Sequence, residues 1–360
     1  MANLLDYLKW RGDLRFSPAH PINDIDAMIF SRISYLPFNK IPFHPNSSIS
    51  SALKKMQPLP KSAFLWDKDR ELVDLLIDSE RFKNLRLSFY RRENDKDAAK
   101  QFSAIAIQFS PRDFFLSFLG TDGTIYGWRE DFNMSLGAEV PAQAEAKKYL
   151  SDFYRRHPLS SLYLGGHSKG GNLAVYSAVT APDKIQRRIR KVYNFDGPGL
   201  SKELLSQDLG FSILPRIDSF IPQDSVIGRL MEHREKFTVV KSVAENLMEH
   251  DIYSWEVEGT ELIRSTTSKR SDFTDRTITR WHESATDEER QVFVSVLFDV
   301  LENTGVGTPM DLALKWSTSA PALVKSYMNI DKERRKIMTA TLKKLVNSIR
   351  ASRREEKAEK

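Results

Sequence analysis

The sequence predicts an α/β fold: a mostly parallel sheet covered by helices on both faces, with a helical C-terminal extension. Three observations predict it. Between Leu85 and Val257 short β-favouring runs alternate with helical stripes, the order in which parallel sheets are wound. One run, Leu162-Tyr163-Leu164-Gly165-Gly166, leads through His167 and Ser168 into the small-residue stretch Lys169-Gly170-Gly171-Asn172-Leu173-Ala174. Beyond Gly259 the apolar residues recur with helical period only.

The elements follow in order. Residues 1–60 read as a peripheral segment, in which Ile25, Met28, Ile29 and Ile33 form a helical stripe over Asp24 to Ile33 that packs on the sheet. A loop marked by Pro37, Pro42 and Pro45 follows, then a short helix over Leu72 to Ile77. Strands are expected at Leu85–Tyr90, Phe102–Phe109 and Asp113–Leu119, the last two joined in a hairpin by Ser110-Pro111-Arg112. Pro141 opens a helix with the stripe Ala146, Tyr149, Leu150 and Phe153, which ends before Pro158. Further strands are expected at Lys191–Phe195, Arg216–Ile221, Phe237–Val240 and Tyr253–Val257. In the extension, Thr286 and Glu289 make a capping box ahead of Phe293, Val296, Leu297, Val300 and Leu301. Met338, Leu342, Leu345, Val346 and Ile349 form a second stripe, and the chain is expected to fray from Arg350. The expected division is a main domain over residues 1–260 and an extension over 261–360.

Composition narrows the function classes. The 360 residues contain no cysteine, which excludes disulfides, thiolate metal sites and a cysteine nucleophile. The net charge of +6 belongs to the tail: residues 331–360 hold eleven Lys/Arg against five Asp/Glu, so the rest is balanced and no nucleic-acid-binding face is expected. No H-E-x-x-H spacing or dinucleotide fingerprint occurs, so neither a metal nor a cofactor is expected. The first residues lack the apolar core of a signal peptide, and no run is long enough for a membrane span. The expectation is a cytoplasmic protein. The basic tail helix has a plain reading, a solvated helix docking its stripe on the main domain, and a sharper one, peripheral contact with an anionic membrane.

Gly166-His167-Ser168-Lys169-Gly170 is a G-x-S-x-G sequence between strand and helix, where a serine is held on a strained turn with its hydroxyl exposed. A serine nucleophile needs a base and an orienting carboxylate downstream. Asp224, just past a strand in Pro-Gln-Asp-Ser-Val, and His250, in Glu-His-Asp-Ile-Tyr-Ser-Trp, are the preferred pair. Asp196 and Asp218 are rival acids, and His233 and His282 rival bases. His233 is expected on the surface, in a helix starting near Ser225. The oxyanion would be held by the N–H of Lys169 and by Thr121, in the loop Gly120-Thr121-Asp122-Gly123.

Phe118-Leu119-Gly120-Thr121-Asp122-Gly123-Thr124, with Gly127-Trp128-Arg129-Glu130-Asp131-Phe132 behind it, resembles the oxyanion segment of class-three (fungal-type) lipases. Leu119 stands where those enzymes usually have Arg, and Lys169 where their elbow has an apolar residue. Over residues 1–260 the chain is similar to the Mbeg-like family of bacterial lipase-like α/β-hydrolases, which shares these segments and an N-terminus like Asp6-Tyr7-Leu8-Lys9-Trp10-Arg11-Gly12. The resemblance implies an α/β-hydrolase fold, a Ser168–Asp224–His250 triad and a lipid or small-molecule carboxylic ester as substrate. A thioesterase or peptidase on the same triad, and a binding protein that retains the fold, are the alternatives.

Overall fold

Eight strands lie in one sheet in the order in which they occur along the chain. They are β1 (Ser47–Ser48), β2 (Arg86–Asp95), β3 (Lys100–Gln108), β4 (Asp113–Phe118), β5 (Ser161–His167), β6 (Ile189–Phe195), β7 (Ile217–Pro222) and β8 (Phe237–Val240). β1 to β4 pair antiparallel, and β4 to β8 pair parallel. The computed structural model describes residues 1–95, 97–98, 100–122, 125–134, 139–206, 211–302 and 325–358. The β3–β4 hairpin and the parallel half are as the sequence predicts, and the whole is an α/β-hydrolase sheet. Tyr253–Val257 is a correction: Ile252–Ser254 is a 3-10 turn, and only Val257–Glu258 (β9) is extended, pairing with β10 (Glu261–Leu262).

Helices cover both faces. On one lie α1 (Leu4–Arg11), α2 (Asp24–Ile33), α3 (Ile49–Lys54) and α4 (Asp69–Asp78), whose apolar residues share a core with Ile105, Ile107, Phe115 and Tyr193. On the other, α6 (Pro141–Arg156) and α7 (Lys169–Val179) meet Ala104, Ala106, Phe114, Leu116 and Val192, with α5 (Ile125–Met134) just ahead of α6 in the chain. The strands thus divide their residues by alternation, as a sheet buried on both sides requires.

The N-terminal segment is therefore no peripheral piece. α2 is buried almost all round, and it carries charge into the core. Arg32 makes a two-pronged pair with Asp69 at 2.6 Å on each prong, and Tyr253 donates to the same carboxylate at 2.8 Å. Asp26 is held by Arg81 (2.5 and 2.8 Å) and by the Tyr7 hydroxyl (2.8 Å). Asp69, Asp26 and Arg81 take further hydrogen bonds beyond the pair, and the Arg32 guanidinium lies 4.3 Å from the centre of the Tyr35 ring, so the buried charges are compensated.

Beyond the sheet run α8 (Asp183–Gln186) and α9 (Lys202–Leu205), which flank β6, and then α10 (Lys269–Ser284), α11 (Asp287–Glu302) and α12 (Lys332–Ala358). The capping box forms, with Thr286 N–H on Glu289 and Glu289 N–H on the Thr286 hydroxyl, and Phe293 and Val296 join a third apolar cluster with Met338. Two expectations for the tail are overturned. The helix continues to Ala358 without fraying at Arg350. Its buried residues are Met338, Thr341, Ser348 and Ser352, while Leu342 and Val346 are exposed. The spacing of three, seven and four residues from Met338 to Ser352 is a packing seam on one helix face, in which the Thr341 and Ser348 hydroxyls bond back to carbonyls one turn earlier. Small hydroxyl residues let the helices approach closely, and a stripe drawn from apolar residues alone points elsewhere.

We expect Asp69→Ala to cost about 3–5 kcal/mol, because it strands the buried Arg32 guanidinium. Urea denaturation measures it, and Arg32→Met with Asp69→Leu should cost clearly less than Asp69→Ala alone.

Candidate active site

β5 and α7 cross at the glycines of the elbow. A Cβ on Gly166 would lie 2.3 Å from the Gly170 carbonyl carbon, and one on Gly170 would lie 2.2 Å from the Phe118 carbonyl oxygen. Only glycine admits that approach. Ser168 is the hinge between strand and helix, at φ 58° and ψ −134°, a left-handed conformation that costs an L-residue about 1–3 kcal/mol. Its N–H donates to the Phe195 carbonyl at 2.9 Å, and its carbonyl accepts from Gly171 N–H at 2.9 Å, so both neighbours fix the turn. Ser168 Oγ has no hydrogen-bond partner among the described residues.

His250 closes a 3-10 turn, Asn246–His250, after β8. Its Nδ1 lies 2.6 Å from Asp196 Oδ2, with the imidazole 22% exposed and the carboxylate 1%. Asp196 directly follows β6 in a left-handed conformation (φ 50°), and its other oxygen accepts from the Ser225 hydroxyl (2.5 Å) and the Gly228 N–H (3.1 Å). The carboxylate on His250 is therefore that of Asp196, not Asp224, and the expected pairing is corrected. Asp224 accepts from the hydroxyl of Ser268, the N-cap of α10, while its own N–H donates to Glu249 at 2.7 Å. It anchors the start of a helix. Both aspartates follow strands, and chain order does not separate them. What does is the strand adjacent to β5, which ends directly in Asp196-Gly197-Pro198-Gly199.

The rival residues fall elsewhere. Asp218 pairs with Lys191 on β6. His282 is on α10. His233 is not in a helix and not on the surface: its side chain is largely buried and bonds Glu235 at 2.9 Å, which the Ser219 hydroxyl also reaches.

His167 was not singled out by sequence reasoning as a working residue. Its Nε2 is 2.7 Å from the His250 carbonyl, and the two rings lie 4.5 Å apart. A carbonyl only accepts, so Nε2 carries the proton, and Nδ1 faces the Tyr35 hydroxyl at 3.3 Å. Tyr35 also reaches the His167 carbonyl, at 3.0 Å. Burial, with His250 beside it, holds His167 well below the usual imidazole range and therefore neutral. The signal available in the sequence was its place inside the elbow.

Lys169 turns its side chain away from the serine hydroxyl, into the protein. Its ammonium bonds Glu130 (2.9 Å), the Gln101 side-chain oxygen (2.8 Å) and the Gln101 carbonyl (3.2 Å). Glu130 in turn accepts from the N–H groups of Gln101 (3.1 Å) and Ala142 (2.9 Å), tying α5, α6 and β3 together. The N–H groups of Lys169 and Gly170, at the start of α7, and of Thr121 have no partner among the described residues. Gly120 brings the Thr121 loop beside the elbow: a Cβ on it would lie 3.2 Å from Ser168 Cβ. The Thr121 hydroxyl donates to Asp131 on α5, so only its backbone N–H remains for an oxyanion. Gly123, Thr124 and the side chain of Trp128 lie outside the described residues. Among the described residues no group of histidines and carboxylates could hold a metal ion.

Burial pushes the Asp131 carboxyl up to about 6, although Lys169 and the Thr121 hydroxyl act in the opposite direction. The folded chain therefore binds this proton more tightly than the unfolded one, and stability falls as pH rises from the ordinary carboxyl value of 3.8 through about 6. We expect Asp131→Asn to be more stable than the parent above about pH 6, by up to about 3 kcal/mol, and equal to it at low pH. Melting temperatures across that range check it, and a constant difference at every pH would contradict it.

The chain matches the family model described as Mbeg1-like over residues 76–299. No curated protein matches it. Among solved structures, it is similar to a Rhizomucor miehei lipase propeptide complex, at 13% identity and a TM-score of 0.36, covering 60% of this chain and 67% of that one. It is similar to a lipase of Yarrowia lipolytica at 8% identity and 0.34, covering 59% and 77%. Lipase II from Rhizopus niveus stands at 9% and 0.34, covering 60% and 80%. The family match extends over more than half of the chain: the protein belongs to the Mbeg1-like family.

Proposed function

We propose that the chain is a serine hydrolase that cleaves carboxylic esters through Ser168, His250 and Asp196. One observation carries this reading: the His250–Asp196 bond at 2.6 Å, beside a serine held in a left-handed strand-to-helix turn. A buried carboxylate on Nδ1 leaves Nε2 of His250 as the acceptor. Ser168 Oγ attacks the acyl carbonyl and passes its proton to that nitrogen, and Asp196 stabilises the imidazolium. The N–H groups of Lys169 and Thr121 hold the oxyanion. His250 returns the proton to the leaving alcohol. Water, deprotonated by His250, then cleaves the acyl-enzyme and regenerates Ser168. The unpartnered Ser168 hydroxyl is in keeping with contacts that tighten only when substrate binds.

The test is hydrolysis of short aryl esters, longer-chain esters and acyl thioesters by purified protein. Ester turnover is expected to exceed thioester turnover, and preference for the thioester would replace the substrate class. Ser168→Ala and His250→Ala should each lower kcat by several orders of magnitude, with the double variant no worse than either, because the residues act as a unit. Asp196→Asn should lower kcat by about 10⁴, the size of effect seen when a triad aspartate is neutralised. Asp224→Asn should leave kcat within about threefold, since its hydrogen bonds among the described residues go to Ser268 and Glu249. The opposite ranking of the two aspartates would return the role to Asp224.

A further inference from the structure

α12 is the most one-sidedly charged element of the chain, with ten Lys/Arg against three Asp/Glu over its 27 residues. The cations on its flanks are spent: Arg334 pairs with Asp299 and Lys344 with Glu289, both on α11. Trp281 of α10 donates to the Thr341 carbonyl at 3.3 Å, and Arg280 pairs with Glu355. These contacts fix which way the helix is turned. Away from the seam, Leu342 and Val346 stand 39% and 44% exposed. At 100° per residue, Lys336, Lys343, Arg350, Arg353 and Lys357 share their arc of roughly 120°, and no acidic residue of α12 falls within it. All five cations are exposed, and none forms an ion pair among the described residues. The acids that reach α12 from α11, Glu289 and Asp299, are those already paired.

We propose that this face lies on the surface of an anionic lipid bilayer, with the helix axis in the membrane plane. Its charge is complementary to phosphate headgroups, and the two aliphatic side chains beside the cations fit an apolar layer that lies below a charged one. A nucleic acid would leave Leu342 and Val346 without a partner, and the arc holds no aromatic ring to stack on bases. The proposal is independent of the chemistry at Ser168, since its test reads binding.

The full chain is sedimented with phosphatidylcholine vesicles, with and without phosphatidylserine. It should bind only the phosphatidylserine vesicles, and less as salt rises. Lys343→Gln, Arg350→Gln and Arg353→Gln together should weaken binding about a hundredfold, roughly fivefold for each charge near the surface. Leu342→Ser with Val346→Ser should weaken it about tenfold and leave its salt dependence unchanged. Should a variant fail to fold, hydrogen exchange of the unaltered chain still decides: amides of residues 342–357 should gain protection on phosphatidylserine vesicles. Equal binding by the triple variant, no gain in protection, or tighter binding of single-stranded RNA than of vesicles would overturn the proposal.

Discussion

The constraint on which the site depends is the contact between β5 and α7. Gly166 and Gly170 bring the strand, the helix and the carbonyl of Phe118 on β4 closer than any side chain permits. A chain that must turn from strand to helix in so little room forces the intervening residue into a left-handed conformation, and that residue is Ser168. The energy comes from the two cores on either face of the sheet, each far larger than the strain. From the same crossing follow the N–H groups at the start of α7 that have no partner among the described residues, and the burial of Lys169. Its ammonium ties α5 to the start of β3 through Glu130 and Gln101.

His250 is placed by a second set of contacts that draws on both ends of the chain. Asp196 holds one ring nitrogen, and His167 holds the backbone carbonyl. Tyr35, just beyond α2, holds His167. Arg32, on the last turn of that helix, pairs with Asp69, which in turn accepts from Tyr253, three residues beyond His250. The N-terminal helices are thus part of the support of the site as well as a layer of the fold. A buried, neutral His167 also keeps a second positive charge away from His250 while still donating a hydrogen bond.

Much of the fold was legible because it is written in short-range pattern. Runs of β-favouring residues located β3, β4 and β8, the helical stripe fixed α2 at its observed limits, and a capping box marked the start of α11. The elbow was legible because glycine spacing and close approach are the same fact seen twice. The carboxylate that meets His250 was not, because Asp196 and Asp224 share one local grammar, an aspartate after a strand, and differ only in which strand lies beside β5. The buried His233 and the seam of α12 failed for a related reason. Glu235 holds one nitrogen of that histidine from two residues away, and Ser219 on β7 holds Glu235. Thr341, Ser348 and Ser352 are small enough to pack although they are polar. Polar burial of this kind leaves no hydrophobic signature.

The central claim is that Ser168 is a nucleophile activated by the imidazole that Asp196 orients. Mass spectrometry of the purified chain after incubation with a fluorophosphonate tests it most directly, because it reads covalent capture without presupposing a substrate. The account predicts one adduct per chain, on the peptide that contains Ser168, and none in His250→Ala over the same time. An unlabelled Ser168, or labelling that proceeds equally well without His250, would contradict it.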